Sequence, residues 1–213
     1  MKVLVISDIH GNLPALEYVL TRERDTDLVI SLGDVVNYGP WSNECVDLLD
    51  TLKNKILIKG NHEEAYLSGS YPGDHPVAKA FFDFCYPSFT QNSKIKNYIK
   101  NYKYKGFEFV HTINDKYIYE DTEVEINENT FIGHSHRPFL RTINNHQLIN
   151  VGSVGQNRTN IDELNYVIWQ PEIASIEVIT KQFSADGLLN EMRHKRYPQL
   201  CLNYIESKRV QKQ

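Results

Sequence analysis

Carboxylate, amide and imidazole side chains recur in this sequence in short groups, each placed directly after an apolar run: Asp8-Ile9-His10-Gly11-Asn12, Gly33-Asp34, Gly60-Asn61-His62-Glu63, His111, and Gly133-His134-Ser135-His136. Such donors hold divalent metals, since imidazole suits manganese, iron, cobalt, nickel and zinc, and a carboxylate has two oxygens with which to span two cations. A lone Asp-x-His is more often a surface pair than a ligand pair. Several groups of one chemical kind, each at the predicted end of a strand, together point to a two-metal hydrolytic site, where paired cations bind the attacking and departing oxygens of a displacement. Cys45, Cys85 and Cys201 are far apart and form no CxxC pair, so they read as small buried apolar residues of a reducing compartment. The missing thiolate argues against a structural zinc site.

The elements that must position these groups are legible in outline. Residues 2–7 predict a strand and residues 13–22 a helix, with Leu13, Leu16, Val19 and Leu20 at helical spacing. The unit repeats as a strand over 28–32 and a helix opened by Ser42 or Asn43 and carrying Cys45, Val46, Leu48, Leu49 and Leu52; a third strand begins at 55–59. Strands joined by crossover helices imply a parallel sheet, whose ligand-binding residues lie beyond the carboxyl ends of the strands. From Pro76 to about Lys100 the spacing predicts helix, with Val77, Ala80, Phe81 and Phe84 on one face, and the Lys- and Tyr-rich stretch 94–105 reads as a solvated helix face. After Gly106 the period is that of strands, over 107–112, 130–132, 139–143, 148–151, 166–169 and 175–180, with Asn144-Asn145 as a tight hairpin turn. The stretch from Ser184 is expected to be helical and broken by Pro198. The last ten residues, with Lys208, Arg209 and Lys212, read as a solvated tail.

With 213 residues, 41% hydrophobic content and no long low-complexity tract, one domain over 1–213 is the expectation. A formal net charge of -4 argues against a nucleic-acid-coating surface, which neutralises phosphates with clustered Lys and Arg. The first apolar run is too short for a signal peptide, and nothing approaches the roughly 20 apolar residues of a membrane span, so the expected location is cytoplasmic and no membrane partner is expected.

The ordered groups resemble the motifs of the calcineurin-like metallophosphoesterases, most closely the small single-domain bacterial and archaeal phosphatases and phosphodiesterases. The resemblance extends to the run Gly33 to Pro40 followed by Asn43-Glu44-Cys45, and to Asn150 through Gln156; it covers about residues 1–180. It implies an α/β fold, a four-layered αββα sandwich of two facing mixed sheets. It also implies that Asp8, His10 and His136 hold one metal, that Asn61, His111 and His134 hold a second, and that Asp34 bridges them. Manganese is the first choice of cofactor, with iron, zinc, cobalt or nickel as alternatives. In the implied mechanism a two-metal-activated hydroxide attacks phosphorus in line, and His62 is the general acid that protonates the leaving alkoxide. Glu63 stands where the family most often has the Asp that orients that histidine. Asn12 is expected to help hold a substrate oxygen. Arg158, just after the glycine-rich turn, is a candidate for bidentate phosphate binding.

The partner so implied is a phosphate ester whose identity the motifs leave open. His75, His146 and His194 lie outside the motifs and read as surface or turn residues. Tyr38 and Trp41 flank the Asp34 loop, and Tyr66, Tyr71 and the segment 114–129 are where a substrate-selecting cap could form. Two other functions fit the same residues: a non-catalytic interaction scaffold on this fold, as in the retromer subunit that shares it, and a nuclease or nucleotide hydrolase with the same metal chemistry, nucleic acid not being the favoured partner. Retention of every ligand type together with His62 favours the enzyme, because a scaffold has no physical need of a proton donor beside the metals.

Overall fold

The computed structural model describes residues 1–210. Two five-stranded mixed sheets face one another. The first has the order β10-β9-β1-β2-β3 and is formed by β1 (Val3–Ile6), β2 (Leu28–Ser31), β3 (Lys55–Leu57), β9 (Glu163–Gln170) and β10 (Ser175–Gln182). The second has the order β4-β5-β6-β8-β7 and is formed by β4 (Asn101–Tyr104), β5 (Phe107–Val110), β6 (Asn129–Ile132), β7 (Phe139–Ile143) and β8 (His146–Asn150). The expected pair of facing mixed sheets is therefore what the chain forms.

Within each sheet a parallel trio carries the site. β1 runs parallel to β2 and β2 to β3, while β5 runs parallel to β6 and β6 to β8. The antiparallel strands β9, β10, β4 and β7 lie outside these trios. Strand β1 shows why the sheets stack. Successive side chains point to opposite faces; Val3 and Val5 join Phe109, Phe131, Ile149 and Trp169 between the sheets, and Leu4 and Ile6 join the core beneath the helices. The seven α-helices of the described residues all contribute to that second core: α1 (Leu13–Arg22), α2 (Ser42–Thr51), α3 (Asn61–Ser68), α4 (Pro76–Cys85), α5 (Asn92–Ile95), α6 (Asp186–His194) and α7 (Gln199–Glu206). The outer face of the second sheet is covered by the segment after β5, whose Ile118 and Ile126 pack on Ile132, Phe139 and Leu148. The fourth layer is thus irregular chain.

Several expectations are corrected. The helix predicted to run to about Lys100 stops at Cys85, where a 3-10 turn (Tyr86–Ser88) and the short α5 follow. Its buried face is Ala78, Phe81, Phe82 and Cys85, with Val77, Ala80 and Phe84 at the edge. The stretch read as a solvated helix face contains β4, where Tyr102 and Tyr104 alternate with Lys103 and Lys105 and pack toward Phe109 and Trp169. Residues 204–209 are not a tail: Tyr204 and Ile205 belong to α7, Arg209 pairs with Asp162 and Asp186, and the Lys208 carbonyl accepts from the Ile161 N–H at 2.9 Å. Lys212 lies outside the described residues. The Asn144-Asn145 turn has φ of 48° and 67°, as a tight β7–β8 hairpin requires. Among the described residues no helix is long and apolar enough to cross a membrane.

Candidate metal centre

The carboxyl ends of the six parallel strands meet at one rim. From the first sheet, β1 is followed by Asp8 and His10, β2 by Asp34 and β3 by Asn61; from the second, β5 is followed by His111 and β6 by His134 and His136. Five of these seven side chains sit on left-handed backbone: Asp8, His10, Asp34, His134 and His136 have φ between 48° and 66°. Residues other than glycine seldom adopt that conformation, and it persists only where the surroundings fix it. The Asp8 N–H donates to the Gly33 carbonyl at 3.0 Å and the His10 N–H to the Asp34 carbonyl at 2.9 Å, so the first two loops hold each other. Asn150 holds the third, its amide donating at 2.8 Å to both the Gly133 carbonyl and Ser135 Oγ. Close approach explains Gly60, where a Cβ would stand 2.2 Å from Asp34 Oδ1, and Gly133, where it would stand 2.0 Å from Ser7 Oγ.

Three groups of donors converge, and their hydrogen bonds fix which atoms keep lone pairs. His10 Nδ1 lies 3.1 Å from the Val36 carbonyl, His111 Nδ1 3.0 Å from the Leu32 carbonyl and His136 Nδ1 2.5 Å from the Gln156 carbonyl. A carbonyl only accepts, so each Nδ1 carries a proton and, in the neutral ring, Nε2 is left as a donor for metal, the arrangement usual among metal-ligating histidines. His10 Nε2 and His136 Nε2 then face each other at 3.1 Å, with Asp8 Oδ1 3.7 and 3.0 Å away. Asp8 Oδ1 is buried without a hydrogen-bond partner. Beside them His111 Nε2 lies 3.0 Å from Asn61 Oδ1, 3.2 Å from His134 Nδ1 and 3.2 Å from Asp34 Oδ2. Asp34 Oδ2 is also 3.9 Å from His10 Nε2, which sets it between the two clusters. Converging buried lone pairs repel unless a cation or proton lies among them, so the donor set fits divalent cations.

The electrostatics follow from this crowding. Burial works against the charged form of Asp34, but His111 and His62 outweigh it and hold the carboxyl well below the usual carboxylate range. Burial also opposes a charge on His111, yet Asp34, Asp8 and Glu63 hold that imidazole up at about 10. His134 is pushed down to about 3 by burial and by His111.

His62 closes the third group, its Nε2 4.0 Å from Asp34 Oδ2. Its other nitrogen, Nδ1, is 3.0 Å from the Asn37 amide nitrogen, and Asn37 Oδ1 accepts from the Tyr66 hydroxyl at 3.4 Å. The amide so oriented donates to Nδ1, which leaves the proton of the neutral ring on Nε2. Asn37 is the residue that the sequence reading missed. The Glu63 carboxylate makes no hydrogen bond to the His62 ring: it accepts from the backbone N–H groups of Asp34, Val35, Val36 and Gly60 at 2.7 to 3.2 Å. Glu63 thus clamps the Asp34 loop, and the side-chain contact to His62 Nδ1 is made by Asn37. Burial and the Asp34 carboxylate push Glu63 up to about 7, against the pull of those four donors.

Asn12 is tied into the protein. It caps α1, accepting from the Ala15 N–H at 3.4 Å, and donates to the Gly155 carbonyl at 3.0 Å, so both ends of its amide are used within the protein. Arg158 is half-buried at the mouth of the site, with its guanidinium 4.8 Å from the centre of the Tyr117 ring. Tyr117 stacks on His134 at 4.1 Å, Tyr38 meets His10 edge-on at 4.7 Å, and Tyr71 lies over His62 at 6.3 Å. A groove of about 680 Å³ leads away from Asn61, His111 and His134 past Lys59 and Lys100. His75 caps α4, His146 opens β8 and His194 is exposed on α6; none reaches the cluster.

A family model for calcineurin-like phosphoesterases matches residues 1–198. An uncharacterized protein of Methanocaldococcus jannaschii is 28% identical over 230 residues, which span 92% of this chain and 94% of that protein. The phosphodiesterase YfcE of Escherichia coli K12 is 33% identical over 72 residues, 29% of this chain and 39% of its own. Among solved structures, a metallophosphoesterase from Sphaerobacter thermophilus has the same fold, with a TM-score of 0.80 at 24% identity over 98% of this chain and 99% of that one. The chain belongs to the calcineurin-like phosphoesterase family, a family of metal-dependent phosphoester hydrolases.

Proposed function

We propose that this protein hydrolyses phosphate esters at a two-metal centre, with Asp8, His10 and His136 holding one ion, Asn61, His111 and His134 the other, and Asp34 between them. The observation that carries this reading is the convergence of Asp8 Oδ1, His10 Nε2, His136 Nε2, Asp34 Oδ2 and His111 Nε2 at neighbouring separations of 3.0 to 3.9 Å, with Asp8 Oδ1 buried and without a hydrogen-bond partner. Manganese is the first ion to test, since the mixed oxygen and imidazole set suits it and also admits iron, cobalt, nickel and zinc. Such ions supply Lewis-acid charge for phosphate oxygens and lower the pKa of a coordinated water.

The chain's own residues do the rest. Asn37 keeps the proton of neutral His62 on Nε2, the nitrogen that faces Asp34, so His62 can deliver it to a departing alkoxide. Glu63 fixes the backbone of Asp34 to Val36, which keeps the Asp34 carboxylate between the two clusters. The groove past Lys59 and Lys100 gives a leaving group an open path. A proton donor at the centre favours the enzyme over an interaction scaffold.

The test is hydrolysis of p-nitrophenyl phosphate and bis(p-nitrophenyl) phosphate by the manganese-loaded protein, with metal counted by elemental analysis. His62→Ala should keep both ions yet lose about 10²- to 10⁴-fold in turnover on alkyl phosphates, whose leaving groups need a proton. Two bound ions without hydrolysis of any ester, whichever metal is supplied, would leave the scaffold reading standing.

A further inference from the structure

Among the described residues Arg158 is a cation without a counter-ion. Its Nε is buried and has no hydrogen-bond partner, and among the described residues no carboxylate lies within 4.0 Å of its guanidinium. The guanidinium lies 4.8 Å from the centre of the Tyr117 ring, and its charge also acts on the phenols of Tyr204 from α7, Tyr38 and Tyr71. A guanidinium does not lose its proton in a protein, and phenols are neutral near pH 7, so the described residues offer this half-buried cation ring faces and hydroxyl dipoles but no anion. Desolvating a charge without an anion is unfavourable. The arrangement is incomplete until an anion enters.

The place of that anion follows from the same rings. Tyr117 stacks on His134, on one side of the centre, while Tyr38 lies against His10 and Tyr71 over His62, on the other. Arg158 lies against Tyr117, the ring that stacks on His134, which sets it beside the Asn61, His111 and His134 group. Tyr204 lies 6.4 Å from the Tyr38 ring and 6.1 Å from Phe81, so it is packed in place. It comes from beyond the residues that the family model matches, 1–198.

Resting on the phosphoesterase reading above, we propose that Arg158, caged by Tyr117 and Tyr204, binds the third terminal oxygen of a phosphomonoester and makes the protein select monoesters over diesters. A monoester phosphate has three unesterified oxygens and, near neutral pH, two negative charges; a diester has two such oxygens and one charge. With two oxygens directed to the metal centre, a monoester keeps one for the guanidinium fork and a diester keeps none. The extra positive charge also matches the extra negative one. Tyr117 and Tyr204 are positioning residues, acting through the direction they give the guanidinium, and helix α7 is thereby part of the specificity wall.

The experiment compares full-length wild type with Arg158→Gln, Arg158→Lys and Tyr204→Phe, each loaded with manganese. Two quantities are read: the ratio of kcat/KM for p-nitrophenyl phosphate to that for bis(p-nitrophenyl) phosphate, and the affinity for inorganic phosphate by titration calorimetry. The wild type should favour the monoester. Arg158→Gln should lower the ratio roughly 30-fold, the size of one charge-assisted hydrogen-bond pair, and weaken phosphate binding about tenfold. Arg158→Lys keeps the charge without the fork and should restore part of both; Tyr204→Phe should lower the ratio a few-fold. A wild type that favours the diester, or a folded Arg158→Gln with both readouts unchanged, overturns the proposal. Should Arg158→Gln not fold, Arg158→Lys decides, because an unchanged ratio and phosphate affinity there would exclude the fork. If the wild type cleaves neither ester, the phosphoesterase reading fails, and the phosphate titration still decides whether Arg158 is an anion subsite.

Discussion

The floor of the site is held by backbone, whereas its mouth is held by side chains leaning on one another. On the floor, Asp8, His10, Asp34, His134 and His136 take left-handed backbone, each at a cost of about 1–3 kcal/mol that neighbouring loops must offset. They are buried, and the loops that carry them are cross-linked by the Asp8, His10 and Gly11 N–H groups, by Glu63 and by Asn150. At the mouth, Tyr71, Arg158 and Tyr204 are half-buried and Tyr117 is 48% exposed; rings at 4.1 to 6.4 Å are their main contacts. Metal coordination tolerates little displacement, so its donors need over-determined backbone. Substrate selection tolerates more, and a wall of rings can change without disturbing the floor.

Asp34 is where this contrast should break most visibly. Its two oxygens serve both clusters, with Oδ2 near His111 and His10 and Oδ1 accepting from the His62 N–H at 2.9 Å. Asp34→Asn would replace one oxygen by an NH₂ group that cannot ligate and that would meet imidazole lone pairs or the His62 N–H. The expected outcome is joint weakening of both metal sites, by at least about 10²-fold in affinity, since even partners one step removed from a metal contribute 10- to 100-fold. Elemental analysis after desalting should fall well below two ions per chain. Two ions retained would show that the carboxylate does not bridge.

The second test concerns the clamp. Glu63→Gln keeps size and removes one acceptor oxygen, so an NH₂ group would face the backbone donors of Gly60, Asp34, Val35 or Val36, all buried. Leaving one or two such donors unsatisfied should cost about 2–4 kcal/mol in stability, read by chemical denaturation. Tyr117→Ala, at the exposed rim, should cost less than about 1 kcal/mol. Equal losses would mean that floor and mouth are one cooperative unit.

The same contrast decides what could be read from the sequence. The donors were legible because each follows its strand within a few residues, and strand order does not matter to that local signal: β5 and β6 were as readable as β1. Asn37 was not, because its partner His62 lies 25 positions away and an asparagine in a loop has many ordinary uses. The backbone partners of Glu63 and Asn12 were hidden for a related reason, since most of them lie far along the chain. Arg158 was visible beside its glycine-rich turn, but its cage was not. Tyr117 sits in an irregular segment without periodicity, and Tyr204 comes from a helix that resembled a tail until tertiary packing oriented it. Strand β4 was lost because its alternating Tyr and Lys satisfy a helix pattern nearly as well over so short a run.

The smallest effect is expected at Tyr71, which tests whether the mouth is energetically separate from the chemistry. Its ring lies over His62 at 6.3 Å and leans on Phe82 at 6.1 Å, and it is half-buried. Asn37 already fixes the His62 ring from the opposite nitrogen, so Tyr71→Ala removes a wall and leaves the proton on Nε2. Loss of contact made equally in ground and transition states raises KM and spares kcat. KM for p-nitrophenyl phosphate should rise roughly three- to tenfold, the range of a partly exposed aromatic contact, with kcat within about twofold. A drop in kcat comparable to that of His62→Ala would place Tyr71 with the floor, because the imidazole would then depend on that ring for its working position.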